Sequence, residues 1–128
     1  MTTQPPDSLR RAGLAAQAAA DKKGTDIVVL DVGEIISITE VFVLVSATNV
    51  RQVRTIVDEI ELTLKITDDE GPRAVEGKGD ASWVLMDYGD IIVHVFLDET
   101  RDFYDLDRLW SDATRIDWSP EPSPVAAQ

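Results

Sequence analysis

The sequence contains no cysteine, which excludes disulfide bonds and metal sites built on thiolates. It contains a single histidine, His94, so a metal site cannot draw two imidazoles from one chain. It lacks any run of the roughly 20 apolar residues that a membrane-spanning helix needs. The alanine-rich segment after Arg11 follows an aspartate and is too weakly apolar for a signal peptide. We therefore expect a cytoplasmic protein with no metal, no cofactor and no membrane contact.

Positive charge is also scarce in this chain. Twelve lysines and arginines stand against 24 aspartates and glutamates, which gives a formal net charge of −12. Phosphate backbones repel such a chain, whereas proteins that bind nucleic acid concentrate positive charge. We therefore expect no direct contact with nucleic acid and favour a basic protein as the partner. The alternative is that the acidic surface serves only solubility.

The length of 128 residues suits one folded domain. Residues 1–7 are polar and contain proline, so we predict a flexible N-terminus there. Residues 8–118 carry the patterns of helices and strands and form the predicted domain. Residues 119–128 (SPEPSPVAAQ) contain three prolines and little to bury, so we predict a disordered tail.

The hydrophobic pattern predicts an α/β fold of the order α-β-β-α-β-β-β-α, with a mixed sheet flanked by helices. The first helix covers residues 8–22 with Ser8 as its cap, and Asn49 with Gln52 indicates a capping box for the second. The first two strands are apolar on both faces and are joined by too few residues for a crossover helix, so we expect them to pair antiparallel. The predicted strands lie at residues 26–32, 41–46, 74–75, 82–87 and 90–96, and the last helix at residues 99–113.

Catalytic motifs are weak. Ser46 lacks the flanking glycines of a nucleophile elbow, so we assign His94 to packing rather than to a catalytic triad. The GKGD sequence at residues 77–80 lacks the Ser or Thr that follows the lysine of a phosphate-binding loop. Asp87 and Asp90 flank a hairpin turn, where aspartate is favoured for local capping. Metal binding by this pair is the alternative, and a partner-binding role of Asp90 stays open.

Six of the eight aromatic residues lie within 28 consecutive positions. We assign Phe96 and Phe103 to the core. The others are tryptophans and tyrosines, which often anchor interfaces because they bury a large area at a low entropic cost and keep one polar atom. The sequence therefore favours binding over catalysis. The six are Trp83, Tyr88, Phe96, Phe103, Tyr104 and Trp110.

Four segments together resemble the Iojap family, also called ribosomal silencing factor S. They are SITEVFVLVSATNVRQV at residues 37–53, VEG at 75–77 with WVLMDYGDIIVHVF at 83–96, and RDFYDLDRLWSDA at 101–113. The resemblance covers roughly residues 8–118. Glu40 stands where many members have Asp, and Ala47 where many have Gly. The second departure weakens any relation to a phosphate-binding turn.

The resemblance implies a fold akin to the nucleotidyltransferases without their active site. It also implies a non-enzymatic protein that binds ribosomal protein fourteen of the large subunit, blocks joining of the small subunit and represses translation when nutrients are short. We place Trp83, Tyr88, Asp90 and Tyr104 nearest the contact. The alternatives are a metal-dependent nucleotidyltransferase-like enzyme and a homodimeric ribosome-assembly factor. The predicted partner-binding residues are Trp83, Asp87, Tyr88, Asp90, His94, Arg101, Tyr104 and Trp110.

Overall fold

The computed structural model describes residues 7–33 and 39–118. The tail predicted at residues 119–128 lies outside them, as does the predicted flexible N-terminus except for Asp7, which begins the first helix. The elements, in chain order, are α1 Asp7–Asp21, β1 Thr25–Asp31, β2 Val41–Ala47, α2 Val50–Asp68, β3 Ala74–Glu76, β4 Trp83–Asp87, β5 Ile91–Leu97, α3 Asp98–Phe103, α4 Leu106–Leu109 and β6 Thr114–Ile116. None of the helices described is long and apolar enough to cross a bilayer.

The strands form one mixed sheet in the order β3-β4-β5-β2-β1-β6. The inner strands β2 and β5 are parallel, and the remaining neighbours are antiparallel. The predicted antiparallel pairing of β1 with β2 is confirmed, with Val29 opposite Val43. β2 is buried along its whole length, which explains why its sequence is apolar on both faces.

Helices α1 and α2 pack together on one face of the sheet, which we call the helix-covered face. Small alanines of α1 let the two helices and the sheet approach closely, and the apolar stripe of α2 fills the space between them. The side-chain oxygen of Asn49 accepts a hydrogen bond of 2.8 Å from the backbone N–H of Gln52, as the predicted helix cap requires. The buried helical side chains include Ala12, Ala15, Ala16, Ala19, Val53, Ile56, Val57, Ile60 and Leu64.

The first helix begins one residue earlier than predicted, and Ser8 is not its cap. Ser8 lies inside α1 and is buried. Its hydroxyl donates a hydrogen bond of 3.0 Å to the carboxylate of Glu40, which immediately precedes β2. The side chain therefore joins the helix to the sheet instead of closing the helix end.

The opposite face of the sheet is only partly covered, by the segment 98–113. The single helix predicted at residues 99–113 is corrected to two short helices, because Asp105 adopts a left-handed backbone with φ of 50°. The strand β6, which the sequence did not reveal, then pairs antiparallel with β1. The apolar residues buried on this face are Leu30, Val32, Phe42, Leu44, Ile92, Phe96, Leu106 and Ala113.

Candidate partner-binding surface

Aromatic rings gather on the partly covered side of the sheet, which we call the aromatic face. Strand alternation places Phe42 of β2, His94 of β5 and Trp83 of β4 on this face, while α3 and α4 bring Tyr104 and Trp110. Trp110 meets Phe42 edge to face with 4.8 Å between ring centroids, and Trp83 lies 5.9 Å from Tyr104. These are ordinary distances for interacting rings, so the face is a connected aromatic cluster.

His94 packs inside this cluster, as predicted. Only 5% of the residue is exposed, and its ring lies 4.7 Å from that of Phe42. Its Nδ1 accepts a hydrogen bond of 3.1 Å from the indole Nε1–H of Trp83. Burial lowers the pKa of His94 to about 4, because a charged imidazole would lose its hydration there.

Three large apolar side chains of the segment 98–113 project into solvent. Phe103 is 81% exposed, Leu109 is 63% exposed and Tyr104 is 57% exposed. The assignment of Phe103 to the core is therefore wrong, whereas Phe96 is buried as predicted. Phe103 ends α3 just before the left-handed Asp105, and this break leaves its ring off the sheet.

Carboxylates are frequent in the same segment of the chain. Residues 98–117 contain seven aspartates and glutamates and three arginines. One of those arginines, Arg101, is buried, so Arg108 and Arg115 are the exposed cations of the segment. The rim of the aromatic face is therefore strongly acidic. Its exposed carboxylates belong to Glu99, Asp102, Asp105, Asp107, Asp112 and Asp117.

Arg101 is predicted to bind the partner, but the structure places it beneath the surface with 4% exposure. Its Nη1 donates bonds of 2.8 Å to the backbone oxygen of Asp26 and to the hydroxyl of Ser46. Its Nη2 donates a bond of 2.8 Å to the carboxylate of Asp107, and its guanidinium lies over the ring of Phe96. Arg101 therefore fastens α3 and α4 to the sheet. The same contacts occupy the one hydroxyl considered as a nucleophile.

Tyr88 does not share a surface with Trp83. The two residues lie on opposite faces, and Tyr88 is 4% exposed beneath the helix-covered face. Burial and the nearby Glu61 raise the pKa of Tyr88 to about 12. Placing Tyr88 nearest the contact is thus corrected. Asp87 accepts a hydrogen bond of 2.8 Å from the N–H of Gly89 and so shapes the hairpin turn.

Asp90 is engaged by an arginine that sequence reasoning missed. Arg11 of α1 is 5% exposed and forms ion pairs with Asp90 and Glu70, and a longer one of 3.4 Å with Asp68. These contacts join α1, the end of α2 and the β4–β5 turn. The available signal was helical spacing, since Arg11 lies on the same side of α1 as the buried Ala15.

No group of three or more metal-binding side chains is positioned for a cation within residues 7–33 and 39–118. The carboxylate of Asp90 faces Arg11, and that of Asp87 faces a backbone N–H. The arrangement of these described residues therefore offers an aromatic contact surface and gives no geometric support to the two-aspartate metal site.

Comparison with known proteins agrees with the resemblance. The sequence model of a family described as "Ribosomal silencing factor during starvation" matches residues 5–128. A ribosomal silencing factor RsfS of Bacillus subtilis is 37% identical over 106 residues, which make up 81% of this chain and 87% of that protein. The chloroplastic protein Iojap of Zea mays is 33% identical over 103 residues, or 80% of this chain and 44% of that protein.

Solved structures resemble the whole fold. A crystal structure of a Chromobacterium violaceum protein superposes with a TM-score of 0.76 and 29% identity, covering 91% of this chain and 95% of that one. A crystal structure from Bacillus halodurans gives a TM-score of 0.73 at 29% identity, covering 88% and 99% respectively. The single-domain architecture with a mixed sheet is thus shared with experimentally determined structures.

Proposed function

Because this chain belongs to the family of ribosomal silencing factors, we propose that it binds ribosomal protein fourteen of the large subunit and thereby keeps the small subunit from joining. Translation then falls when nutrients are short. The protein acts in the cytoplasm by obstruction and catalyses no reaction. The observation that carries this proposal is the aromatic face, with its three exposed apolar side chains inside an acidic rim.

The shape and composition of the aromatic face support a protein contact. Exposed apolar residues that cluster within polar surroundings commonly mark interaction sites. Phe103 and Tyr104 are adjacent, with ring centroids 4.9 Å apart, and Tyr104 rests on Trp83. Trp83 and Trp110 are partly exposed beside them. Large aromatic side chains of this kind supply most of the binding energy in many interfaces.

The charge of the rim supports a basic partner. The exposed carboxylates of the segment 98–117, apart from Asp107, which is paired with Arg101, would attract lysines and arginines and speed their encounter with this surface. The same charge would repel bare ribosomal RNA. A basic ribosomal protein displayed on the large subunit satisfies both conditions.

The eight predicted partner-binding residues then divide into two groups. Trp83, Tyr104 and Trp110 reach the surface and make the contact. The other five support the fold beneath the contact surface, because their side chains are buried or already bonded within the chain. These are Asp87, Tyr88, Asp90, His94 and Arg101.

The proposal is tested by sedimentation of the purified chain with large ribosomal subunits. The wild type should move with the large subunit and lower the yield of joined ribosomes. Tyr104→Ala should weaken binding at least about 30-fold, as expected for an interface residue worth about 2 kcal/mol. Ile66→Ala is the matched control, since Ile66 is 74% exposed on α2, away from the aromatic face. Failure of the wild type to co-sediment would refute the proposal, and equal losses for both variants would refute the assigned surface.

The exposed aromatic face also favours self-association of the free protein. A symmetric contact would cover Phe103 and Leu109, which are otherwise exposed to solvent. Light scattering should then give a dimer for the free chain, and addition of the ribosomal partner should dissociate it. A monomer at all concentrations would exclude this second role.

A further inference from the structure

The hydrogen bond between Trp83 and His94 joins the buried and exposed parts of the aromatic face. Trp83 lies on β4 opposite Phe96, and its indole reaches diagonally to His94 on the neighbouring β5. The Nε1–Nδ1 distance of 3.1 Å is that of an ordinary hydrogen bond. This bond fixes the direction of the indole plane, which ring packing alone would leave adjustable.

The bond also fixes the protonation state of the histidine. A tryptophan indole can only donate, so Nδ1 of His94 must be free of a proton to accept from it. The proton of the neutral ring is therefore on Nε2, which finds no hydrogen-bond partner among residues 7–33 and 39–118. Since burial lowers the pKa of His94 to about 4, the ring is neutral at physiological pH and Nδ1 remains an acceptor.

A histidine at position 94 lowers the stability of the folded chain relative to an apolar residue. Its neighbours on the same face, Leu44 and Ile92, are apolar and buried, and an unpaired buried N–H opposes folding. A leucine would pack there without that cost. What leucine cannot provide is the acceptor for the indole of Trp83.

The fixed indole of Trp83 contacts further rings that lead outward to solvent. The indole packs against Phe96 below, at 5.8 Å, and against Tyr104 above, at 5.9 Å. Tyr104 in turn meets Phe103 edge to face at 4.9 Å. A continuous series of contacts thus runs from a buried imidazole to a side chain that is 81% exposed.

We propose that His94 is a positioning residue for partner binding, which holds the indole of Trp83 through Nδ1 and so preorganises Tyr104 and Phe103. The inference rests on the proposed function, because it assigns Trp83 and its neighbours to the contact. Preorganised side chains lose less entropy on binding, so release of the indole should weaken affinity without removing any contact atom.

Two variants separate the acceptor from the bulk of the imidazole. In His94→Asn, the side-chain oxygen takes the place of Nδ1 and can still accept from the indole. In His94→Leu, the side chain fills the space and accepts nothing. The readouts are the indole N–H signals in a ¹H–¹⁵N spectrum and the affinity for purified large subunits. The indole of Trp118, which donates to the backbone oxygen of Ile27 at 3.2 Å, is an internal reference for the fold.

His94→Leu should move the Trp83 indole signal upfield, speed its exchange with water and weaken binding about tenfold, the size expected from losing one hydrogen bond. The Trp118 signal should not move. His94→Asn should restore both the Trp83 signal and the affinity. An unchanged affinity for His94→Leu would overturn the inference, as would equal losses in the two variants with Trp118 undisturbed.

Trp83→Phe removes the donor of the same bond and leaves the histidine in place, and because it also removes contact atoms of the indole, normal binding is its decisive outcome. If His94→Leu fails to fold, this variant should still lose affinity, while normal binding by it would overturn the inference. Absence of binding by the wild type would instead refute the proposed function, and with it any role of His94 in binding. The Trp83 indole signal of the free wild-type chain would then still report the hydrogen bond.

Discussion

The two faces of the sheet bury their side chains in different ways. The helix-covered face packs alanine, valine and isoleucine from two helices against the strands and excludes water almost completely. The aromatic face is covered by two short helices and leaves Phe103, Tyr104 and Leu109 exposed. The first arrangement stabilises the fold, and the second provides a surface that another protein can complete.

Each face also has one buried arginine, and the two arginines differ in the groups that they bind. Arg11 forms ion pairs with three carboxylates and joins elements of the fold. Arg101 donates two hydrogen bonds to neutral oxygens, those of the Asp26 backbone and the Ser46 hydroxyl. These bonds hold the segment 98–113, which carries the exposed rings, against the sheet. Charge is therefore used for stability on one face and for positioning on the other.

The largest effect is expected from Arg11→Met. Loss of the guanidinium leaves Asp90 partly buried without its arginine and leaves Asp68 paired with Arg10 alone, so the free energy of unfolding should fall by about 3–5 kcal/mol. Urea denaturation measures it. Arg10→Met is the matched control, because Arg10 is the adjacent and more exposed arginine, and it should cause a much smaller loss. Equal losses would show that Arg11 is not the specific link between the elements.

The next effect is on the pH dependence of the free energy of unfolding, to which the buried His94 of the aromatic face contributes. The pKa of His94 is lowered from 6.5 to about 4 in the folded chain. Between these two pH values the histidine is therefore protonated in the unfolded chain and neutral in the folded one. This contribution to stability is complete above pH 6.5 and is lost as the pH falls toward 4, by about 3 kcal/mol in total. His94→Asn should lack this part of the pH dependence in urea denaturation. The same slope in both proteins would contradict the burial of a neutral imidazole.

The smallest stability effect is expected at the exposed rings. Phe103→Ser should change the free energy of unfolding by no more than about 0.5 kcal/mol, since the side chain is 81% exposed. It should nevertheless weaken binding to large subunits. Leu62→Ser, at a 52% exposed position on α2, should change neither quantity. A binding loss for Leu62→Ser alone would move the interface to the helix-covered side.

Much of the fold was predictable because its signals are local. Periodicity gave α1 and α2, and the Asn49 cap and the antiparallel pairing of β1 with β2 followed from short-range chemistry. The strand β6 was missed since three residues show no periodicity. The division of the last helix depends on the left-handed backbone of Asp105, which the neighbouring residues do not predict.

The contact surface was predictable only in part. Choosing residues by type placed Trp83 and Tyr88 together, although an odd separation along a hairpin sends side chains to opposite faces. The partners of Arg11 lie 57 to 79 positions away in sequence, so its ion pairs depend on the tertiary fold. Membership of the family rested on motifs, and the placement of each motif residue required the structure.

In the proposed complex, the aromatic face meets the large subunit. Hydroxyl-radical footprinting of the chain, free and bound to purified large subunits, measures side-chain exposure directly. Binding should protect Phe103, Tyr104 and Leu109, and should leave Leu62 and Ile66 as reactive as in the free protein. Protection of Leu62 and Ile66 with no change at the other three would place the contact on the helix-covered side instead.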